Sequence, residues 1–363
     1  MVVHAQYWKM VAARWPDRRF LDRVGTECPI VQAPMAGAGD AALCIGAIEG
    51  GGLGSLACGM LPPEQVRAQA EAVRARTGGP LNLNFFCHEM PEAPEDGAWR
   101  ALLQPYYDQY GATPGAPAPL RLPFDAAACA ALEAVRPDVV SFHFGLPAAP
   151  LLRRVKASGA VVLGNATTAE EAKWLEERGA DAVIAQGREA GGHTGRFLAT
   201  DAEPLGLFAL LPQIVDAVRL PVIAAGGIGD ARGIAAAFAL GASAVQLGTA
   251  YLHCPEATIS DAHRALLRDG APTIVTNLLT GGLARGFAGR LVRELGPVRR
   301  EAPPYPLAAA ALAPIRAAAE AGGEYGFGPM WAGEAAGLGE ALPARELTRK
   351  LAAEALALLG RLA

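Results

Sequence analysis

The feature that most constrains this chain is an eightfold alternation of short apolar runs with segments of helical length. The runs are 30–33, 53–57, 81–86, 139–144, 161–165, 182–185, 222–225 and 244–248. Each is four to six residues long, and six of the eight follow directly on Gly, Pro or Asp, as buried strands often do. Between them, 40–49, 62–77, 125–135, 148–158, 168–178, 203–218 and 230–240 read as helices. Strands alternating with helices make a parallel sheet, because each crossover brings the chain back to the same end. Eight such units over roughly 225 residues match an α/β (β/α)8 TIM barrel. A doubly wound open sheet is the competing architecture, and the even spacing favours closure.

Two stretches interrupt the rhythm. Residues 88–125 are proline-rich and hold one helical segment, 98–110, followed by the low-complexity run GATPGAPAPL. Residues 256–340 are helical and Gly-rich with no clear strand, and 343–362 read as a terminal helix. The expected organisation is a barrel from 1–87 and 126–255 and a smaller, mostly helical cap from 88–125 and 256–340. A C-terminal helix, 341–363, follows. Residues 1–27 form a lead-in with a short helix near 17–24.

Composition narrows the function. Hydrophobic residues make up 52% and charged residues 19% of the 363, enough for a large core, and the net charge is -4. That balance argues against nucleic acid or an anionic membrane as partner. The start lacks the apolar segment of a secretory signal, and no run is long enough to span a bilayer. Six cysteines stand far apart with no C-x-x-C pair. This pattern suggests buried thiols, a reducing cytoplasmic setting and no zinc site.

In such a barrel the strand C-termini converge on one mouth. Those positions hold Ala33-Pro34-Met35, Ser55, Asn84, His143, Asn165, Gln186 with His193, Gly226-Gly227, and Gln246 with Gly248-Thr249. No strand-end carboxylate is among them, so neither a glycosidase pair nor a Mg²⁺ cluster is expected. Amide side chains offer donors and acceptors and suit a neutral heteroaromatic ring. The glycines after the seventh and eighth runs suit a phosphate, with Asp230 as a helix cap. A dinucleotide fingerprint fits poorly: Gly227 to Gly233 reads G-x-G-x-x-x-G, one residue too long. His193, on a glycine-bracketed loop after the sixth run, is the candidate reactive group. His143 is either first in line at the mouth or part of the core. His4, His88, His253 and His263 are expected to be structural or on the surface, and Cys87 and Cys254 small buried groups. No Ser-His-Asp grouping can be assigned.

Several blocks resemble one family. They are Gln32-Ala33-Pro34-Met35-Ala36-Gly37, Ser141-Phe142-His143-Phe144-Gly145, Gln186-Gly187 with Ala190-Gly191-Gly192-His193, Ala225-Gly226-Gly227-Ile228, Gln246-Leu247-Gly248-Thr249 and Met330-Trp331-Ala332-Gly333. Together, over about residues 29–334, they look like the nitronate monooxygenases. The resemblance implies a non-covalent FMN, no metal, and oxidation of alkyl nitronates by O₂ to a carbonyl compound and nitrite through a flavin semiquinone. Propionate 3-nitronate is the implied substrate. Carried over by motif, Asn84, Gln186, Gly191, Gly226, Gly227, Gln246, Leu247, Gly248 and Thr249 would hold FMN, with Pro34 and Met35 along its ring. His193 would sit beside the substrate as base or anion holder, with His143 nearby. The substrate carboxylate would want a cation, for which Arg196 and Arg285 are candidates. One departure is Glu334, where the family usually has Gln after Trp-Ala-Gly.

The nearest rival is an NAD(P)H-dependent FMN reductase of the same barrel type, acting on enoyl thioesters or quinones. A flavin-binding barrel without turnover is the non-enzymatic alternative. An IMP-dehydrogenase-like chemistry would need a nucleophilic cysteine near the sixth loop, and residues 186–200 contain none. A monomer or homodimer is expected.

Overall fold

The computed structural model describes residues 15–92, 96–114, 120–199 and 203–362; His4 lies outside them. Eight parallel strands form the centre: β1 (Ile30–Gln32), β2 (Gly54–Ala57), β3 (Leu81–Phe86), β4 (Val139–His143), β5 (Val161–Ala166), β6 (Ala182–Gln186), then β8 (Val222–Ala225) and β9 (Ala244–Leu247). A two-residue strand, β7 (Gly192–His193), lies outside this sheet. The spatial order β1-β9-β8-β6-β5-β4-β3-β2 closes on itself. Leu53 N donates to Ile30 O and Gln32 N to Leu53 O, both at 2.9 Å, so β2 meets β1. The expected (β/α)8 barrel is therefore present.

Strand periodicity sorts the side chains into two layers. On β3, Leu81, Leu83 and Phe85 pack outward against the helices, with Val66, Ala70 and Val73 of the helix Pro63–Arg74. Inward-facing Val31, Leu53, Val139, Leu163, Ala182, Ile184, Ile223 and Ala244 fill the barrel, and Phe20 joins them from the short helix Arg19–Val24. One side of the interior is polar. Asn82 Nδ2 donates to Ser55 Oγ at 3.0 Å and to Ser141 Oγ at 2.9 Å, while its amide oxygen is buried without a partner.

The last helix, Ala344–Leu362, is a barrel element and not an appendage. It packs between the helices Ala41–Glu49 and Ala231–Ala239, which follow β1 and β8. That is the slot a helix following β9 would fill. Leu347, Leu351, Ala352 and Ala355 share a core there with Leu43, Ile234 and Phe238, and the Tyr251 hydroxyl meets Thr348 Oγ1 at 2.7 Å.

The two interrupting stretches meet in one further core. Trp99, Leu103, Tyr106 and Tyr107 of the helix Gly97–Tyr110 pack on Ala311, Leu312 and Ile315 of the helix Ala308–Ala321, with Leu278, Leu291 and Phe327. Residues 256–340 are not strand-free as expected. Strands β10 (Thr273–Thr276) and β11 (Ala284–Phe287) pair antiparallel, and β11 pairs in turn with β7. The TIVT run is β-branched and strand-prone. ARGF is buried throughout and so lacks the polar–apolar alternation that reveals a half-buried strand. Among the described residues no helix is long and apolar enough to cross a membrane.

Leu351 is 3% exposed at the contact that completes the helical ring. Replacing it with Ala is expected to cost about 2–5 kcal/mol of unfolding free energy by denaturant titration. A loss within about 0.5 kcal/mol, the range of an ordinary surface change, would show that the helix is peripheral.

Candidate active site

A cavity of about 560 Å³ opens where the barrel strands end, under the segments joined to β10 and β11. That volume is ordinary for a cofactor or substrate pocket. Of the expected residues, Pro34, Met35, Asn84, His143, Gln186, Gly191, His193, Gly226, Gln246, Gly248 and Thr249 line it. Leu247 does not. Strand alternation turns it outward into the helix-facing core, 1% exposed, while its neighbour Gln246 points inward. Gly227 is exposed and, like Arg196, lies off the cavity wall.

The loop after β6 is held by side-chain amides. Gln186 Oε1 accepts from Gly195 N at 2.8 Å and from Asn165 Nδ2 at 3.1 Å. Gln186 Nε2 donates to the His193 carbonyl oxygen at 2.9 Å, and His143 Nε2 lies 3.2 Å from the same oxygen. A carbonyl only accepts, so His143 must carry its proton on Nε2. The loop glycines make room for protein. A Cβ on Gly195 would lie 2.2 Å from Asn165 Nδ2, and one on Gly191 would lie 2.6 Å from the Ala332 carbonyl carbon. The second contact lets the Trp331-Ala332-Gly333 segment seat on the loop, where Gly333 N donates to Thr249 Oγ1 at 2.8 Å.

His193 is 8% exposed and sits in an aromatic enclosure. The rings of Tyr305 and Trp331 stand edge-on to it at 5.0 and 5.5 Å between centroids, and Phe144 at 6.3 Å. Phe144 holds a left-handed φ of 66°, unusual for a bulky residue. That backbone turn sends its ring toward His143 at 4.5 Å, His88 at 6.2 Å and His193. The Ser141-to-Gly145 block therefore builds one wall of this enclosure. His193 Nε2 meets Thr280 Oγ1 at 2.8 Å.

Burial holds the His193 ring well below the usual imidazole range, and the nearby Arg121, His143 and His88 push it further down. Burial also brings His143 down to about 4, against its hydrogen bond to the His193 carbonyl. Both rings are neutral at neutral pH.

The remaining histidines divide. His88 Nε2 donates to the Arg121 carbonyl at 3.0 Å and His253 Nε2 to that of Ala336 at 2.9 Å, both structural contacts. His263, expected to be structural or on the surface, lines the cavity with its Nε2 buried and unpartnered. Cys254 is buried and Cys87 half-buried. Arg285 is committed elsewhere. Its Nε donates to the Arg188 carbonyl at 2.9 Å, and its Nη2 lies 2.9 Å from Glu334 Oε1. Glu334 is not among the cavity-lining residues. The sequence reading missed Arg121, Thr280 and Tyr305. All three lie in the stretches that interrupt the barrel rhythm, where no strand end marks a side chain as facing the mouth.

Two outcomes follow from this electrostatic arrangement. Because the His143 and His193 rings are less basic folded than free, their contribution to stability is full above the free imidazole value near 6.5. It is lost as pH falls from there toward about 4. Urea midpoints should drop across that window, and a His143→Gln variant should drop less; equal slopes would remove His143 from the account. Glu334→Gln removes one charge from an ion pair whose carboxylate is 42% exposed. It is expected to cost under about 1 kcal/mol and to leave relative rates on different substrates unchanged. A changed substrate ranking would mean that residue 334 reaches the substrate.

The site now bears comparison with known proteins. The sequence profile of the nitronate monooxygenase family matches residues 18–354. A nitronate monooxygenase of Paraburkholderia phytofirmans is 44% identical over 350 residues, covering 93% of this chain and 94% of that one. A nitronate monooxygenase of Pseudomonas aeruginosa is 42% identical over 349 residues, covering 93% and 98%. Among solved structures, a nitroalkane oxidase of Streptomyces ansochromogenes superposes with a TM-score of 0.86 at 36% identity, covering 95% of this chain and all of that one. With a parallel barrel, a buried histidine at its mouth and relatives matching almost end to end, this chain belongs to the nitronate monooxygenase family of oxidoreductases.

Proposed function

We propose that the chain oxidises alkyl nitronates with O₂ at a bound FMN, yielding a carbonyl compound and nitrite. Propionate 3-nitronate is the substrate the family resemblance implies. The observation that carries the reading is His193, a neutral ring buried at the edge of a cavity that has polar capacity to spare. Gln246 Oε1 is buried there without a hydrogen-bond partner. An inward amide oxygen lacking a donor is costly to keep unless a ligand supplies one. A flavin ring with an imide N–H fits that need.

Asn84, Gln246, Gly248 and Thr249 would hold the FMN, with Pro34 and Met35 beside the ring. The backbone of Gly226 and Gly227, at φ 105° and 68°, would turn past its phosphate. Bound, FMN would accept electrons from the nitronate and pass them to O₂. Gln186 contributes at one remove, by fixing the His193 loop through two hydrogen bonds, to the His193 carbonyl and from Gly195 N, while Asn165 of β5 holds its amide oxygen. Segments 88–125 and 256–340 would cover the substrate and exclude water.

The chemistry of His193 favours the nitronate over its neutral parent. An imidazole pushed well below its usual basicity is poorly matched to taking a proton from carbon. A substrate that arrives already deprotonated needs no such base. One His193 nitrogen faces Thr280, and the other is left to meet the nitro oxygens. The Streptomyces relative is called a nitroalkane oxidase; in this chain we expect the anion to be the working form.

Nitrite release and O₂ uptake should be rapid with propionate 3-nitronate and slow with 3-nitropropionate at matched concentration. Reduction of the flavin by NADH, with no response to any nitronate, would replace this reading with that of a reductase. His193→Asn is expected to retain FMN and lower turnover by on the order of 10²-fold, the scale of misplacing one hydrogen-bond donor aimed at the reacting group's charge. Unchanged turnover would take His193 out of the mechanism.

A further inference from the structure

The cavity needs a cation, and the structure supplies one that neither motif nor spacing marks. Neutral His193 brings no charge to an anionic substrate. Arg285 is tied to Glu334 and lies off the wall, and Arg196 lies off it too. Two arginines do line the cavity, Arg121 and Arg316. Arg316 is balanced by Glu320, Nε to Oε1 at 2.7 Å, and Glu320 lines the cavity beside it. Arg121 differs: among the described residues no carboxylate forms an ion pair with it.

We propose that Arg121 is the specificity-determining residue of this site, binding a carboxylate on the end of the substrate remote from the nitronate. The inference rests on the nitronate reading given above and goes beyond it, by assigning the group that selects among nitronates.

Three observations support it. Arg121 comes from the stretch after β3 that lies over the barrel mouth, and it is half-buried where His193 is buried. It therefore meets the outer end of a molecule whose inner end reaches His193. Its backbone is anchored independently of its charge, because His88 Nε2 donates to the Arg121 carbonyl at 3.0 Å. A second polar group lies beside it, although Tyr305 itself is not part of the cavity lining. The Tyr305 hydroxyl is buried and meets no partner at full hydrogen-bond geometry, although the Arg121 guanidinium approaches it and partly offsets the rise that burial causes. The guanidinium fork of Arg121, which does line the cavity, matches the two oxygens of a carboxylate. The Tyr305 ring also stands 5.0 Å from that of His193 and 4.8 Å from that of His88, so the anion site and the reactive site share a wall.

The test compares two ligands that differ only in the carboxylate. For turnover, these are propionate 3-nitronate and the nitronate of 1-nitropropane. In Arg121→Gln the ratio of their kcat/KM values should fall about 100-fold, the scale of losing a charged hydrogen-bonding partner at a binding site. Arg121→Lys should recover part of it. An unchanged ratio overturns the proposal.

Binding to the holoenzyme supplies the second arm, followed by calorimetry and by the fluorescence of Trp331, which lines the cavity. Here 3-nitropropionate should bind wild type more tightly than 1-nitropropane does, and Arg121→Gln should erase the difference. If neither nitronate is oxidised by wild type, the proposed activity fails, and the binding arm still decides on Arg121. Loss of the carboxylate preference would uphold the subsite; its persistence would sink it. Thermal melting of both variants separates a binding effect from a folding one.

Discussion

The candidate site depends on one carbonyl oxygen. His193 O accepts from Gln186 Nε2 and faces His143 Nε2, so two side chains from different strands converge on one backbone atom. Gln186 and His143 sit at the ends of β6 and β4, fixed by the barrel ladder. The loop inherits that rigidity. Its two-residue strand then pairs with β11, which brings the C-terminal segment into register with the barrel mouth. Without the pinned carbonyl, neither the imidazole nor the sheet built on it has a defined place.

The enclosure explains why the imidazole is neutral. Rings pack around His193 on several sides, and the nearest charges, including Arg121, are cationic or potentially so. Taking up a proton there would cost desolvation and repulsion together. A site of this kind attracts an anion through Arg121 and presents it to a ring that remains uncharged. It thus differs from an acid–base site, in which the histidine would be set near the working pH.

The barrel was legible because strand spacing and buried apolar runs are strong local signals, and all eight parallel strands lie where those runs fall. The mouth-facing positions were legible for the same reason, since strand alternation assigns Asn84, Gln186 and Gln246 inward. The alternation also shows why Leu247 is not on the wall, although it lies inside a motif. Three things were hidden. β11 is buried on both faces and carries no alternation. Arg121 lies in a proline-rich stretch with no period to orient it. The neighbours of the loop glycines are distant in sequence: at Gly191 the place of a Cβ is filled by Ala332, and at Gly195 by Asn165 with His143. Contacts of that kind join residues far apart in sequence and leave no local trace.

The helix Ala344–Leu362 bears on how such a chain reaches its native state. It completes the outer ring beside β9, yet the entire capping excursion separates the two in sequence. A barrel whose ring is closed by so distant a partner has a high contact order, and the entropy of closing that loop must be met before the contact repays it. The barrel cannot finish first and acquire its cover afterwards, because the cover lies between two pieces of the barrel. Folding is therefore expected to be a single cooperative event spanning both.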